Sequence, residues 1–131
     1  MWTSLTIVVG ALITIVAVLY TTNDSNEGQA ESIDTIAEHS YESPEITTDL
    51  QDGSFVRIQF HILTDGEAAK EEISKRDFQI SNILIKELAK MDADDFKSGL
   101  AKLEDVVRSK LNEVMIDGTI TDVYTINKIL Q

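Results

Sequence analysis

No cysteine occurs in this chain, which rules out a disulfide framework, a thiolate metal site and a thiol nucleophile. Proline appears once, at Pro44, and histidine twice, at His39 and His61. Positive charge is missing from everything before Arg57. With 23 acids against 11 bases and a formal net charge of -12, the chain lacks the basic face that nucleic-acid phosphates require. The same deficit argues against a polar face that clamps anionic lipid headgroups.

Three zones divide the 131 residues, which suffice for one ordinary domain plus attachments. Residues 1–23 carry no charged side chain. Residues 24–52 hold nine acids and no base, and residues 53–131 hold fourteen acids and all eleven bases. Most of the acidity therefore sits in one segment.

The first zone contains "LTIVVGALITIVAVLY", Leu5 to Tyr20. As a helix, Trp2 to Thr22 would span about 31 Å, close to the ~30 Å hydrocarbon core of a bilayer. Trp2 and Tyr20 stand near its two ends, where aromatic rings prefer the interface. The expected element is a single transmembrane anchor over residues 1–22. Gly10 and Ala11 would permit close helix approach. A cleaved signal peptide needs a basic n-region and a small-x-small exit, whereas no base precedes the run and Ala17 is followed two residues on by Leu19. A buried core helix would need a larger remainder to wrap it. Charge leaves orientation open, since neither flank carries Lys or Arg, and only the terminal amine favours a cytoplasmic N-terminus.

Residues 23–44 read as an acidic, flexible linker, with too little apolar surface to offset the entropy of ordering. Ile33, Ile36 and Ala37 make at most one apolar helical turn. His39 is a bystander there. The linker either spaces the domain from the bilayer or simply connects; the sequence does not separate the two.

Residues 45–131 carry the pattern of a small α+β domain. In "SFVRIQFHILT", Val56, Ile58, Phe60 and Ile62 alternate with Arg57, Gln59 and His61, the signature of a half-buried strand. His61 has no second histidine or carboxylate cluster to make it a ligand or base. Asp52-Gly53 is a turn signal, so Glu45 to Leu50 is expected to pair back as a hairpin. From Glu67, apolar residues at helical spacing run through Ile73, Ile80, Leu84 and Leu88 to Met91. The pattern loosens at Arg76-Asp77-Phe78, where two helices should meet. A second helical pattern runs Phe96, Leu100, Leu103, Val107, Leu111, Val114, capped by Asp94 or Asp92. "DADD" fails as a calcium loop, because Phe96, Lys97 and Leu103 fall at its ligand and glycine positions, and reads as a capped turn. Thr119 to Leu130 is apolar on both faces, which predicts a central strand inserted between others.

Read together, "DGSFVRIQFHI", "KRDFQISNILIKEL", "LEDVVRSKLNEV" and "GTITDVYTINKILQ", behind an apolar run and a polar linker, resemble the flagellar basal body-associated FliL family. The most specific parts are Arg76-Asp77 with Ile80, Asn112, and Gly118 with Ile120, Val123, Tyr124 and Gln131. Phe78 departs from a common proline, Ser81-Asn82 from a charged pair, and the basic N-terminal flank is missing. The resemblance implies a single-pass protein of the inner cell membrane, with its N-terminus cytoplasmic and an extracytoplasmic domain similar to the stomatin/SPFH fold. It implies a ring-forming homo-oligomer around the ion-driven stator (MotA/MotB type) at the basal body, without cofactor or metal. The joint residues Lys75, Arg76, Asp77 and Phe78 then become the candidate interface. Lys70, Lys75 and Arg76 facing Asp92 to Asp95 would supply complementary edges; an ordinary solvated helix face is the plain alternative. No nucleophile–base pair, phosphate loop or metal spacing is present in the sequence, so no enzyme is expected. The rival reading is an extracytoplasmic ligand-sensing or interaction domain. Such a domain is expected to carry a cytoplasmic output module, and the sequence before Leu5 is too short to be one.

Overall fold

The computed structural model describes residues 32–131. The expected anchor and most of the expected linker lie outside the described residues. Among the described residues, no helix is long and apolar enough to cross a membrane.

One sheet organises the domain, and β3 (Phe55–Thr64) is its centre. The hydrophobic alternation read from the sequence is the alternation seen. Val56, Ile58, Phe60 and Ile62 are buried, while Phe55 and Arg57 are exposed. One flank of β3 is shared end to end by two short antiparallel strands. β1 (Ser40–Glu42) pairs with its second half and β2 (Ile46–Asp49) with its first. The expected hairpin about Asp52-Gly53 is therefore formed. Strand β1 and the preceding helix α1 (Ile33–Glu38) fall in the stretch read as linker, so ordered structure begins before Glu45. Tyr41 packs β1 against the core, and polar contacts at its two ends do the rest. Ser43 donates its backbone N–H to the Phe60 carbonyl and accepts the Phe60 N–H on its hydroxyl, while Thr64 bonds the His39 carbonyl.

Strand β4 (Ile120–Leu130) covers the other flank of β3, with Val56 opposite Leu130 and Ile62 opposite Val123. This corrects the expectation that the last strand is inserted between others: β4 pairs with β3 alone and forms an edge. The apolar-on-both-faces pattern has another cause. Register shifts between Gln59 and Phe60 and between Leu63 and Thr64 re-phase the strand, so Ile120 and Val123 both turn inward while Tyr124, Ile126 and Ile129 stay exposed.

Four helices lie on one face of the sheet: α2 (Glu67–Ser74), α3 (Asp77–Leu88), α4 (Ala93–Ser98) and α5 (Leu100–Val114). The two helices expected to meet near Arg76 do so. The single helix expected from Phe96 to Val114 is in fact two, broken at Gly99. A side chain at Gly99 would place its Cβ 2.6 Å from the Asp95 carbonyl oxygen, so the chain closes there in a way only glycine allows. Asp92 caps α4 in a reciprocal box with Asp95, as the capped-turn reading of "DADD" expects. The core joins Ile58, Phe60 and Ile62 to Ile73, Ile80, Leu84, Leu88, Phe96, Val107 and Leu111. Each such side chain contributes about 1.5–3 kcal/mol by leaving water. The opposite face of the sheet exposes Phe55, Tyr124 and Ile129.

Candidate functional site: exposed surfaces around a latched joint

The α2–α3 joint carries the four residues singled out as a candidate interface, and the structure gives them two different jobs. Arg76 and Asp77 face inward to neighbouring elements. Arg76 Nε donates to Glu72 Oε2 at 3.0 Å, and its guanidinium also reaches Gln79 Oε1 at 2.6 Å. Asp77 accepts a short hydrogen bond from the Tyr41 hydroxyl, which ties the start of α3 to β1. Burial, then the hydrogen bond and charge of Asp77, push the Tyr41 phenol from 10.0 to about 12. Lys75 and Phe78 point to solvent, and Phe78 is 71% exposed.

Glu72 is the hub behind the joint. Its carboxylate accepts the backbone N–H groups of Ile116, at 2.9 and 3.0 Å, and of Asp117 at 2.7 Å, besides the Arg76 bond. Burial alone would raise its pKa. The Asp117 and Ile116 N–H groups, with Arg76, outweigh that and hold it below 4.5. The loop between α5 and β4 is thereby fastened to α2. Gly118 completes this loop at φ 138, with Asp65 Oδ1 and Ala69 Cβ at 2.6 and 2.7 Å from where a Cβ would sit.

A second fastening runs along the outer edge of β4. Asn112 donates from Nδ2 to the Ile120 carbonyl at 2.9 Å and accepts the Ile120 N–H on Oδ1 at 2.7 Å. Glu104 Oε2, on the same helix, accepts both the N–H and the hydroxyl of Thr125. Helix α5 thus supplies side-chain partners where a further strand would otherwise bond.

Sequence reasoning found Asn112 only through the family resemblance. It missed Glu72, although Glu72 and Arg76 stand at the i, i+4 spacing of a helical ion pair. It missed Tyr41 and Glu104, whose partners lie far away in the chain. Of the residues read as complementary edges between copies, Asp92 and Asp95 bond each other's backbone and Arg76 pairs with Glu72 within the domain. His61 lies half-buried on the sheet face opposite the core, its Nδ1 3.8 Å from Glu42 Oε1. Among the described residues, no three His, Cys, Asp or Glu side chains converge on a metal position.

Open grooves of about 320 and 530 Å³ run beside α3 and α5, floored by Met91, Leu103 and Ile83 and rimmed by Lys86, Lys90 and Lys110. They mix charges of both signs. What the domain presents is surface: a rigid body whose joints are closed by internal hydrogen bonds and whose apolar side chains emerge in separate places.

Sequence comparison fits this picture. The family described as "Flagellar basal body-associated protein FliL" matches residues 40–131, from the first residue of β1 to the last of the chain. The chain is also similar to the flagellar protein FliL of Bacillus subtilis (strain 168), at 33% identity over 96 residues, covering 72% of this chain and 69% of that protein. The chain belongs to the FliL family of flagellar basal body-associated proteins.

Proposed function

We propose that this protein is a membrane-anchored accessory of the flagellar motor, whose domain forms a ring around the MotA/MotB-type stator and supports torque and motility. Membership of the family carries the coarser part: the role is that of a basal-body accessory and not of an enzyme. The observation that carries the reading is that the family match spans the whole sheet and all four packed helices, so the unit that associates with the basal body is this domain.

The finer part rests on sequence and chemistry. Trp2, Leu5, Gly10, Ala11 and Tyr20 belong to a charge-free run of membrane-spanning length, which would hold the domain beside the bilayer with its N-terminus in the cytoplasm. The acidic segment after it would keep the domain off anionic headgroups. A likeness to the stomatin/SPFH fold belongs to the same reading, because such domains assemble side by side.

The test is mechanical. Cells of the host lacking this protein are tethered through one flagellum, and torque is followed as load rises. The expected result is fewer engaged torque-generating units at high load, restored by the full chain and not by a chain in which residues 1–22 are replaced by a cleavable export signal. Unchanged torque at every load without the protein contradicts the reading.

A further inference from the structure

Six of the eight exposed large apolar side chains among the described residues fall in two patches, with Ile33 and Ile116 standing apart. Phe78 and Ile85 stand seven residues apart on α3, within about 20° of each other around the helix axis. They lie roughly 100–120° from the core-facing Leu84, so this stripe is a second face of α3, separate from the one that packs on the sheet. Asn82 and Ala89, also exposed, continue it.

The second patch lies on the sheet. Residues directly opposite in an antiparallel pair share a face. Val56, Ile58 and Ile62 point to the helices, so Arg57 with Ile129 and His61 with Tyr124 point the other way. That face exposes Tyr124 (51%) and Ile129, with Ile126 beside them on β4 and Phe55 (57%) at its end.

The two patches differ in the charges around them. Lys75 and Lys86 flank the α3 stripe, are exposed, and form no ion pair among the described residues. The acids of α3 are spent elsewhere, Asp77 on Tyr41 and Glu87 on Lys90. The sheet patch is rimmed by Glu45 and by Asp49, Glu42 and Asp122, which pair with Phe55, His61 and Leu63 on the same face. Arg57 is the one full positive charge opposing them on β3.

We infer that the α3 stripe of one copy packs on the exposed apolar patch of the β3–β4 face of the next, Phe78 and Ile85 seated among Tyr124, Ile126 and Ile129, with Lys75 and Lys86 meeting Glu45 and Asp49. The occupant is a second copy of this chain. The contact repeats between copies the helix-on-sheet layering already present inside the domain. It joins two unlike surfaces, so it is heterologous and propagates from copy to copy until rotation closes it. The inference rests on the ring reading above and names the surfaces that make the ring.

The absence of cysteine makes the test clean. Full-length chains carrying Phe78→Cys, Tyr124→Cys, or both are expressed in the host, and intact cells are oxidised. The expected result is a disulfide ladder beyond the dimer from the double variant. Mixed single variants should give only a Phe78→Cys/Tyr124→Cys heterodimer, and each single variant alone no dimer. A parallel amine-reactive crosslink of the unaltered chain reports whether copies associate at all. A ladder there without the cysteine ladder overturns this interface and leaves the ring standing. Single variants that dimerise with themselves as readily as with each other overturn the interface in the same way. No ladder by either route overturns the ring reading and this inference together. As a second check, in the Phe78→Cys/Tyr124→Cys chain Lys86→Glu should lose the disulfide ladder and Lys86→Glu with Asp49→Lys should regain it. A ladder unaffected by Lys86→Glu contradicts the charge pairing.

Discussion

The carboxamide of Asn112 and the main chain of Ile120 exchange two hydrogen bonds, at 2.9 and 2.7 Å, so that a helix side chain stands in for a neighbouring strand at the edge of β4. A part-buried pairing of this kind is costly to break, because the Ile120 backbone groups lose both partners at once. Asn112→Ala should cost about 1–3 kcal/mol in denaturant unfolding. Asn112→Asp keeps the acceptor for the Ile120 N–H but faces the Ile120 carbonyl with a charge, and should be no better than alanine. An unchanged unfolding midpoint for either variant contradicts the assignment.

Two carboxylates give the domain an acid limit. Backbone N–H groups of Ser54 and then Ala93 hold Asp52 below 3.8, and Glu72 is held below 4.5 chiefly by the N–H groups of Asp117 and Ile116 acting against burial. Depressed folded values mean stability that is present above the unfolded pKa and lost as pH falls through the folded one. Stability should therefore decline below about pH 4, and Asp52→Asn with Glu72→Gln should flatten that decline while lowering stability at neutral pH. Unfolding midpoints across pH 2–7 measure both.

The alkaline side has the opposite sign. Tyr41 is raised from 10.0 to about 12, so its contribution is intact below pH 10 and disappears as pH climbs toward 12. Tyr41→Phe should remove that part of the alkaline loss. Titration of tyrosinate absorbance should show a late-ionising phenol in the native protein that the variant loses.

Gly118 sets the entry into β4. At φ 138, with two atoms inside 3 Å of any added Cβ, Gly118→Ala meets both backbone strain and a clash. The expected cost is at least about 1–3 kcal/mol, read as a lower thermal midpoint.

Two phenylalanines separate folding from association. Phe60 is fully buried at the centre of the core, whereas Phe78 is 71% exposed. Phe60→Ala should cost about 3–5 kcal/mol. Phe78→Ala should leave unfolding within about 0.5 kcal/mol and weaken assembly between copies. Comparable destabilisation by both would contradict a surface role for Phe78.

Much of this fold was legible in the residues because burial writes itself as period. The alternation of Val56 to Ile62 located the central strand, the seven- and four-residue steps from Ile73 to Leu88 located α2 and α3, and Asp52-Gly53 located a turn. What was not legible lay in contacts that leave no periodic trace. Strand β1 is held by the Ser43 hydroxyl and the His39 carbonyl, so its polar sequence passed for linker. The bulges in β4 mixed its two faces and disguised an edge as a centre. The break at Gly99 comes from one close approach to a carbonyl, inside an otherwise continuous apolar pattern. At the joint, charge marked Lys75, Arg76 and Asp77 as a group. The neighbouring Glu72 and the distant Tyr41 show that two of them serve the fold and leave the surface to Lys75 and Phe78.

The most direct test of the accessory role is to crosslink intact swimming cells of the host, solubilise the membranes gently, purify this protein and identify its companions by mass spectrometry. Homo-oligomers of ring size, recovered together with stator subunits, are the expected result. Monomer free of motor components, under conditions that preserve other motor complexes, would contradict it.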